Sequence, residues 1–124
     1  MKIIISNADP TPIYAQISSQ IQKHIVAGEL SVGAALPSIR KLALDLQISV
    51  ITTKRAYDEL ERDGFINSVT GKGSYVAEQS LEMLSEKRMK QVEDKLAEAV
   101  KEANVLGISL TEMQSMLNLI YGSD

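Results

Sequence analysis

Three short stretches of this 124-residue chain carry side chains able to grip a polyanion: Ser38 with Arg40, the run Ser49-Val50-Ile51-Thr52-Thr53-Lys54-Arg55, and Thr70-Gly71-Lys72-Gly73. Interleaved hydroxyls and cations can meet phosphate oxygens and the acceptor edges of bases. Val50 and Ile51 have two outlets: they can pack on thymine methyl groups or fill the interior. Arg55 also has two, since Glu59 stands at ion-pair spacing four residues on. The glycines flanking Lys72 let a backbone approach a groove, or simply make a hairpin turn. That stretch matches neither GxGxxG nor GxxxxGK followed by Ser or Thr, and it opens no helix, which argues against a nucleotide-phosphate loop.

Other chemistry has little support. The single histidine, His24, stands in a chain without cysteine and has no carboxylate at ligand spacing. Asp58, Glu59, Glu61 and Asp63 read as a solvated helix face, and Met83, Met89, Met113 and Met116 as adaptable packing. No catalytic residue, metal ligand or cofactor site is expected, and the chain is not read as an enzyme.

The elements that must position these groups follow from periodicity and caps. Lys2 to Ile5 is a short β-prone run, a candidate third member of any sheet, and Asn7 to Pro12 is dense in turn formers. Thr11 before Pro12 predicts a helix start; Ile13, Ile17, Ile21 and Ile25 then recur every four residues up to a cap at Gly28. Glu29 to Pro37 has no period and reads as a loop. Ser38 caps a second helix whose apolar face is Ile39, Leu42, Ala43 and Leu46. Three residues later Ser49 caps a third, running to about Asp63 with Ala56, Tyr57 and Leu60 inward. Phe65–Val69 and Ser74–Val76 are β-prone runs around the Thr70–Gly73 turn. From Gln79 to about Leu106 the pattern is one long amphipathic helix, and Ser109-Leu-Thr-Glu112 has capping-box spacing for a last one.

Helix, turn, helix and β-hairpin in that order are the layout of a winged helix-turn-helix, giving a mainly α fold with a small β wing. The expected division is residues 1–77 as this domain and 78–124 as a helical dimerisation hairpin. Leu81, Leu84, Met89, Val92, Leu96, Val100, Met113, Leu117 and Ile120 form apolar faces there. Some 46 residues make a poor core alone, so pairing with a second copy is expected.

Charge placement agrees. Residues 1–78 hold eight basic and eight acidic side chains, whereas residues 79–124 hold five and eight, so the net charge of -3 belongs to the tail. Between Ser38 and Arg55, four cations face one Asp45, a local +3 suited to phosphate. No run of about 18 apolar residues suggests a membrane span, no basic-then-apolar start suggests a signal peptide, and a cytoplasmic location is expected.

The wording from Pro10 to Val76 resembles the DNA-binding domain of the GntR family of bacterial transcription regulators. Three phrases carry the resemblance: G-x-L-x-x-G-x-x-L-P-S-x-R-x-L-A at Gly28–Ala43, R-A-Y-x-x-L-E-x-x-G at Arg55–Gly64, and the closing G-x-G-x-Y-V. The short two-helix tail is similar to the YtrA-like subfamily, whose tail dimerises. The resemblance implies DNA-contacting roles for Arg40, Ser49, Thr52, Lys54, Gly71 and Lys72. Family members often place polar or basic residues where this chain has Val50 and Ile51. The reading is a homodimeric, sequence-specific DNA-binding regulator, a repressor on an inverted-repeat operator in double-stranded DNA, with no small-molecule effector evident. The rival is a winged-helix protein-interaction module.

Overall fold

The computed structural model describes residues 1–79 and 81–122, and for Leu81 its backbone alone. The chain divides into two compact units, residues 1–85 and 86–124. The first contains α1 (Ile13–Val26), α2 (Ile39–Leu46), α3 (Val50–Arg62), β1 (Ile66–Val69), β2 (Gly73–Val76) and the first turn of α4 (Leu81–Leu106); the second contains the rest of α4 and α5 (Leu110–Tyr121).

The four-residue isoleucine repeat does what its period dictates. Ile17 and Ile21 of α1 are fully buried with Ala56 and Leu60 of α3, and Leu42, Phe65, Ile66 and Val76 complete the same core. Each such large apolar side chain contributes about 1.5–3 kcal/mol relative to exposure. α1 starts one residue later than Thr11 and Pro12 suggest. Pro12 itself is the cap residue, while the Thr11 backbone N–H is drawn to Asp9 Oδ1 at 2.8 Å, an Asx turn in place of a side-chain cap. That bond holds the Asp9 carboxyl below the usual carboxylate range.

The Lys2–Ile5 run is no strand. It is held to α1 by glutamine side chains that supply what a neighbouring strand would: Gln20 bonds both the N–H and the C=O of Ile4 (2.9 and 2.6 Å), and Gln16 does the same for Ser6 just beyond the run (2.9 and 3.0 Å). His24 adds to this clasp, pairing its Nδ1 with Glu29 and setting its Nε2 3.1 Å from the Lys2 carbonyl oxygen. The carboxylate that spacing alone did not offer His24 therefore arrives from the turn after α1.

β1 and β2 pair antiparallel, Ile66 opposite Val76 and Val69 opposite Gly73. The third member of the wing is the loop before α2. Ala35 bridges Tyr75, with Gly33 N–H donating to Val76 O (2.8 Å), Val76 N–H to Ala34 O (2.9 Å) and Leu36 N–H to Ser74 O (2.9 Å). A stretch without period thus takes the edge for which Lys2–Ile5 is only a candidate by sequence.

Leu84 also departs from its expected place. It packs against the winged core and is only half-exposed, so it belongs to the first unit rather than to a dimerisation face. The side chain of Leu81 lies outside the described residues. In the second unit, α4 ends at a turn with Gly107 at φ 73°, and Ser109 Oγ accepts the Glu112 N–H at 3.2 Å to open α5. No described side chain of α5 is buried. Met89, Val92, Leu96 and Val100 of α4 and Leu117 and Ile120 of α5 are exposed, while Met113 is half-buried.

Candidate nucleic-acid interface

Two serines aim the site. Ser38 Oγ accepts the Lys41 N–H (3.1 Å) and Ser49 Oγ the Thr52 N–H (3.0 Å), so α2 and α3 both begin on a side-chain cap, as their sequences require. Between them Gln47 takes a left-handed conformation, φ 56° and ψ 47°, the one described non-glycine residue at positive φ. Ile48 N–H then bonds Ala43 O at 3.0 Å, closing the turn with three residues and directing the α3 N-terminus away from the core.

The side chains of this turn separate sharply. Ile51 is 81% exposed and Val50 47%, so the interior reading of this pair is set aside. Thr53 is 0% exposed and its hydroxyl donates to Ser49 O at 3.1 Å. Thr53 therefore leaves the candidate surface: it sits on the α3 face turned to the core, and its polar atom is spent on the backbone. Thr52 is half-buried, its hydroxyl oxygen accepting from Ser49 Oγ at 2.8 Å.

The cations are arranged along the flanks. Lys54 pairs with Asp58 (2.8 Å) and Lys41 with Asp45 (3.2 Å), each at four-residue spacing and exposed. Such pairs are worth about 0.3–0.5 kcal/mol and yield readily to a phosphate. Arg55 does not take Glu59. Its guanidinium lies 3.8 Å from the Tyr14 ring centroid and donates to the Tyr14 hydroxyl at 3.2 Å, joining α3 to α1. Arg40 is exposed, one residue past the start of α2, and its side chain has no ion pair or hydrogen bond among the described residues.

At the wing, Lys72 N–H donates to Val69 O at 2.9 Å across a four-residue turn, and Gly71 takes φ 76° at the position where that turn needs it. Tyr75 donates its hydroxyl to Lys72 O at 2.9 Å, stiffening the tip that carries Thr70, Gly71, Lys72 and Gly73, all exposed.

Sequence reasoning missed two tyrosines that hold the site. Besides Tyr14, the buried Tyr57 donates to Pro37 O at 2.7 Å and so ties α3 to the residue before the α2 cap. Burial pushes its phenol up to about 12. The available signal was chemical: an inward tyrosine needs a partner for its hydroxyl. Among the described residues no group of three or more His, Cys, Asp or Glu side chains gathers as a metal site.

This arrangement, two capped helices about a tight turn with a tethered wing, coincides with the bacterial regulatory protein gntR family, whose model matches residues 13–76. The chain belongs to the GntR family. It is similar to the HTH-type transcriptional repressor YtrA of Bacillus subtilis strain 168, with 32% identity over 118 residues, 95% of this chain and 91% of that one. Among solved structures, a GntR family transcriptional regulator from Listeria monocytogenes superposes with a TM-score of 0.68 at 34% identity, covering 89% of this chain and 96% of that one. The DNA-binding domain of AraR in complex with operator ORE1 superposes with a TM-score of 0.53 at 26% identity, over 62% of this chain and 94% of that domain. Family membership makes this GntR chain a DNA-binding transcription regulator.

Proposed function

We propose that the protein is a homodimeric repressor that binds an inverted-repeat operator, each α3 entering one major groove and each wing meeting the flanking backbone. The observation that carries the reading is the exposure of Val50 and Ile51 at the start of α3, in a unit that also exposes Arg40, Lys41, Lys54 and Lys72 although the chain is acidic overall. Ser38, Ser49, Thr52 and the Thr70–Gly73 tip complete the contact set; Arg55 supports it through Tyr14. The second unit, residues 86–124, acts as the dimerisation region through Met89, Val92, Leu96, Val100, Met113, Leu117 and Ile120. The exposure of Met89, Val92, Leu96, Val100, Leu117 and Ile120 in a single chain supports pairing, because clustered apolar surface is unfavourable in water unless covered. A two-fold protein then reads a two-fold site. The likeness to a repressor over nearly the full chain supports repression as the mode of action.

The test is a titration of operator DNA, selected by the protein from a random pool, at several salt concentrations. Affinity is expected to fall steeply with salt, and Arg40→Ala to reduce the slope of log affinity against log salt by about 1 for each phosphate that Arg40 neutralises. Salt-independent binding, or an Arg40→Ala isotherm identical to the parent, refutes the assignment.

A further inference from the structure

We propose that Val50 and Ile51 make this chain select thymine in each half-site, by packing on the C5-methyl groups that thymines present in the major groove. The inference rests on the DNA-binding reading above and concerns what that surface prefers. The polar side chains of the reading turn make contacts within the protein, although Thr52 keeps its own proton and the exposed Lys54 pair yields to a phosphate. Ser49 Oγ accepts the Thr52 N–H and donates its only proton to Thr52 Oγ1. The Thr53 hydroxyl is buried against Ser49 O. Lys54 reaches back along α3 to Asp58, and Arg55 lies on Tyr14. The side chains that project unengaged from this turn are the two aliphatic ones.

Nothing in the fold accounts for them. Neither Val50 nor Ile51 belongs to the core or to the half-buried residues packed against it, and an isoleucine 81% exposed gives folding almost nothing. Their chemistry does suit one target. The major-groove edges of the four base pairs consist of hydrogen-bond donors and acceptors plus a single apolar group, the thymine methyl. An aliphatic side chain set against guanine N7 and O6 or cytosine N4 would strip water from polar atoms and return no hydrogen bond. Against a thymine methyl, both partners lose only apolar surface to water. Both residues are β-branched, with χ1 strongly restricted in a helix, so little rotamer freedom remains to be lost on contact.

Deoxyuridine, which lacks only the C5-methyl and keeps the pairing edge of thymine, isolates this term. The probe is a duplex enriched from a random pool by the full chain, with each thymidine replaced in turn by deoxyuridine and affinity read by fluorescence anisotropy at fixed salt. At one or two positions per half-site the replacement is expected to weaken binding by about fourfold, the effect of removing one buried methyl group. Ile51→Ala or Val50→Ala should each abolish the thymine-to-uracil difference at one of those positions while leaving the salt slope unchanged, since neither removes a cation. Ile51→Val should retain part of it. The proposal is overturned if every replacement is silent, or if the sensitivity persists undiminished in both alanine variants; binding of the enriched duplex would then leave the regulator reading intact. Failure of the parent protein to enrich any sequence overturns both.

Discussion

Changing Tyr57 to Phe removes one oxygen from a side chain that is 2% exposed and whose hydroxyl donates to Pro37 O at 2.7 Å. A net hydrogen bond is worth about 1 kcal/mol, and a buried acceptor left without a donor costs about 1–3 kcal/mol. Pro37 is only half-buried, so water reaches its carbonyl and the loss should lie near the lower end, about 1–2 kcal/mol at pH 7. In a unit of this size each kcal/mol corresponds to a melting-point drop of roughly 4–8 °C. The pH dependence provides an independent check. A phenol ionises near 10 when unfolded and is pushed up to about 12 here by burial. Between those values the unfolded chain has released a proton that the folded chain still holds, so rising pH favours unfolding. The Tyr57 contribution is therefore complete below pH 10 and is lost as pH climbs through 12, at roughly 1.4 kcal/mol for each pH unit between the two values. Urea unfolding followed by circular dichroism at pH 7, 9, 10 and 11 should show the parent ahead of Tyr57→Phe by a gap that is constant to pH 9 and closes above 10. Every other side chain is common to the two proteins, so the difference between them isolates Tyr57. Equal stability at pH 7, or a gap that stays constant to pH 11, refutes the reasoning.

Gln47 holds φ 56° without the freedom of glycine, so Gln47→Gly should stabilise the first unit by about 0.5–1 kcal/mol, read as a higher urea midpoint; a lower midpoint contradicts the idea that this residue is strained. Leu96→Glu combined with Leu117→Glu places charge on the exposed apolar faces of α4 and α5 and should shift sedimentation from dimer to monomer with the winged unit still folded. A double variant that remains dimeric excludes those faces as the contact.

Features governed by near neighbours in sequence were legible. Ser38, Ser49 and Ser109 cap the helices their spacing names, the isoleucine repeat of α1 faces the core, and Gly71 marks the wing turn. These outcomes depend on groups within about one turn of helix or one hairpin. The departures depend on partners far along the chain. Lys2–Ile5 has strand composition, but the amide of Gln20 satisfies its backbone at Ile4, while Gln16, one helical turn earlier, does so for the adjacent Ser6. Thr53 reads as polar and surface-seeking, yet it falls on the same face of α3 as Ala56, Tyr57 and Leu60. Leu84 continues the heptad-like pattern of the tail but meets the winged core. Arg55 had a carboxylate four residues away and took an aromatic ring on another helix instead, where stacking and a hydrogen bond act together.

The Ala35–Tyr75 bridge joins the strand behind Lys72 to the loop that launches Arg40, and the Tyr57–Pro37 bond fastens the same loop to α3. The three segments that would touch a duplex are thus already set in one body through backbone and phenolic bonds. Arriving DNA would meet a surface whose main chain has little left to order. Most of the entropic cost of shaping the site was met at folding, and the association rate should be governed by electrostatic steering rather than by rearrangement. Cutting the bridge, more than removing any single cation, would change that regime.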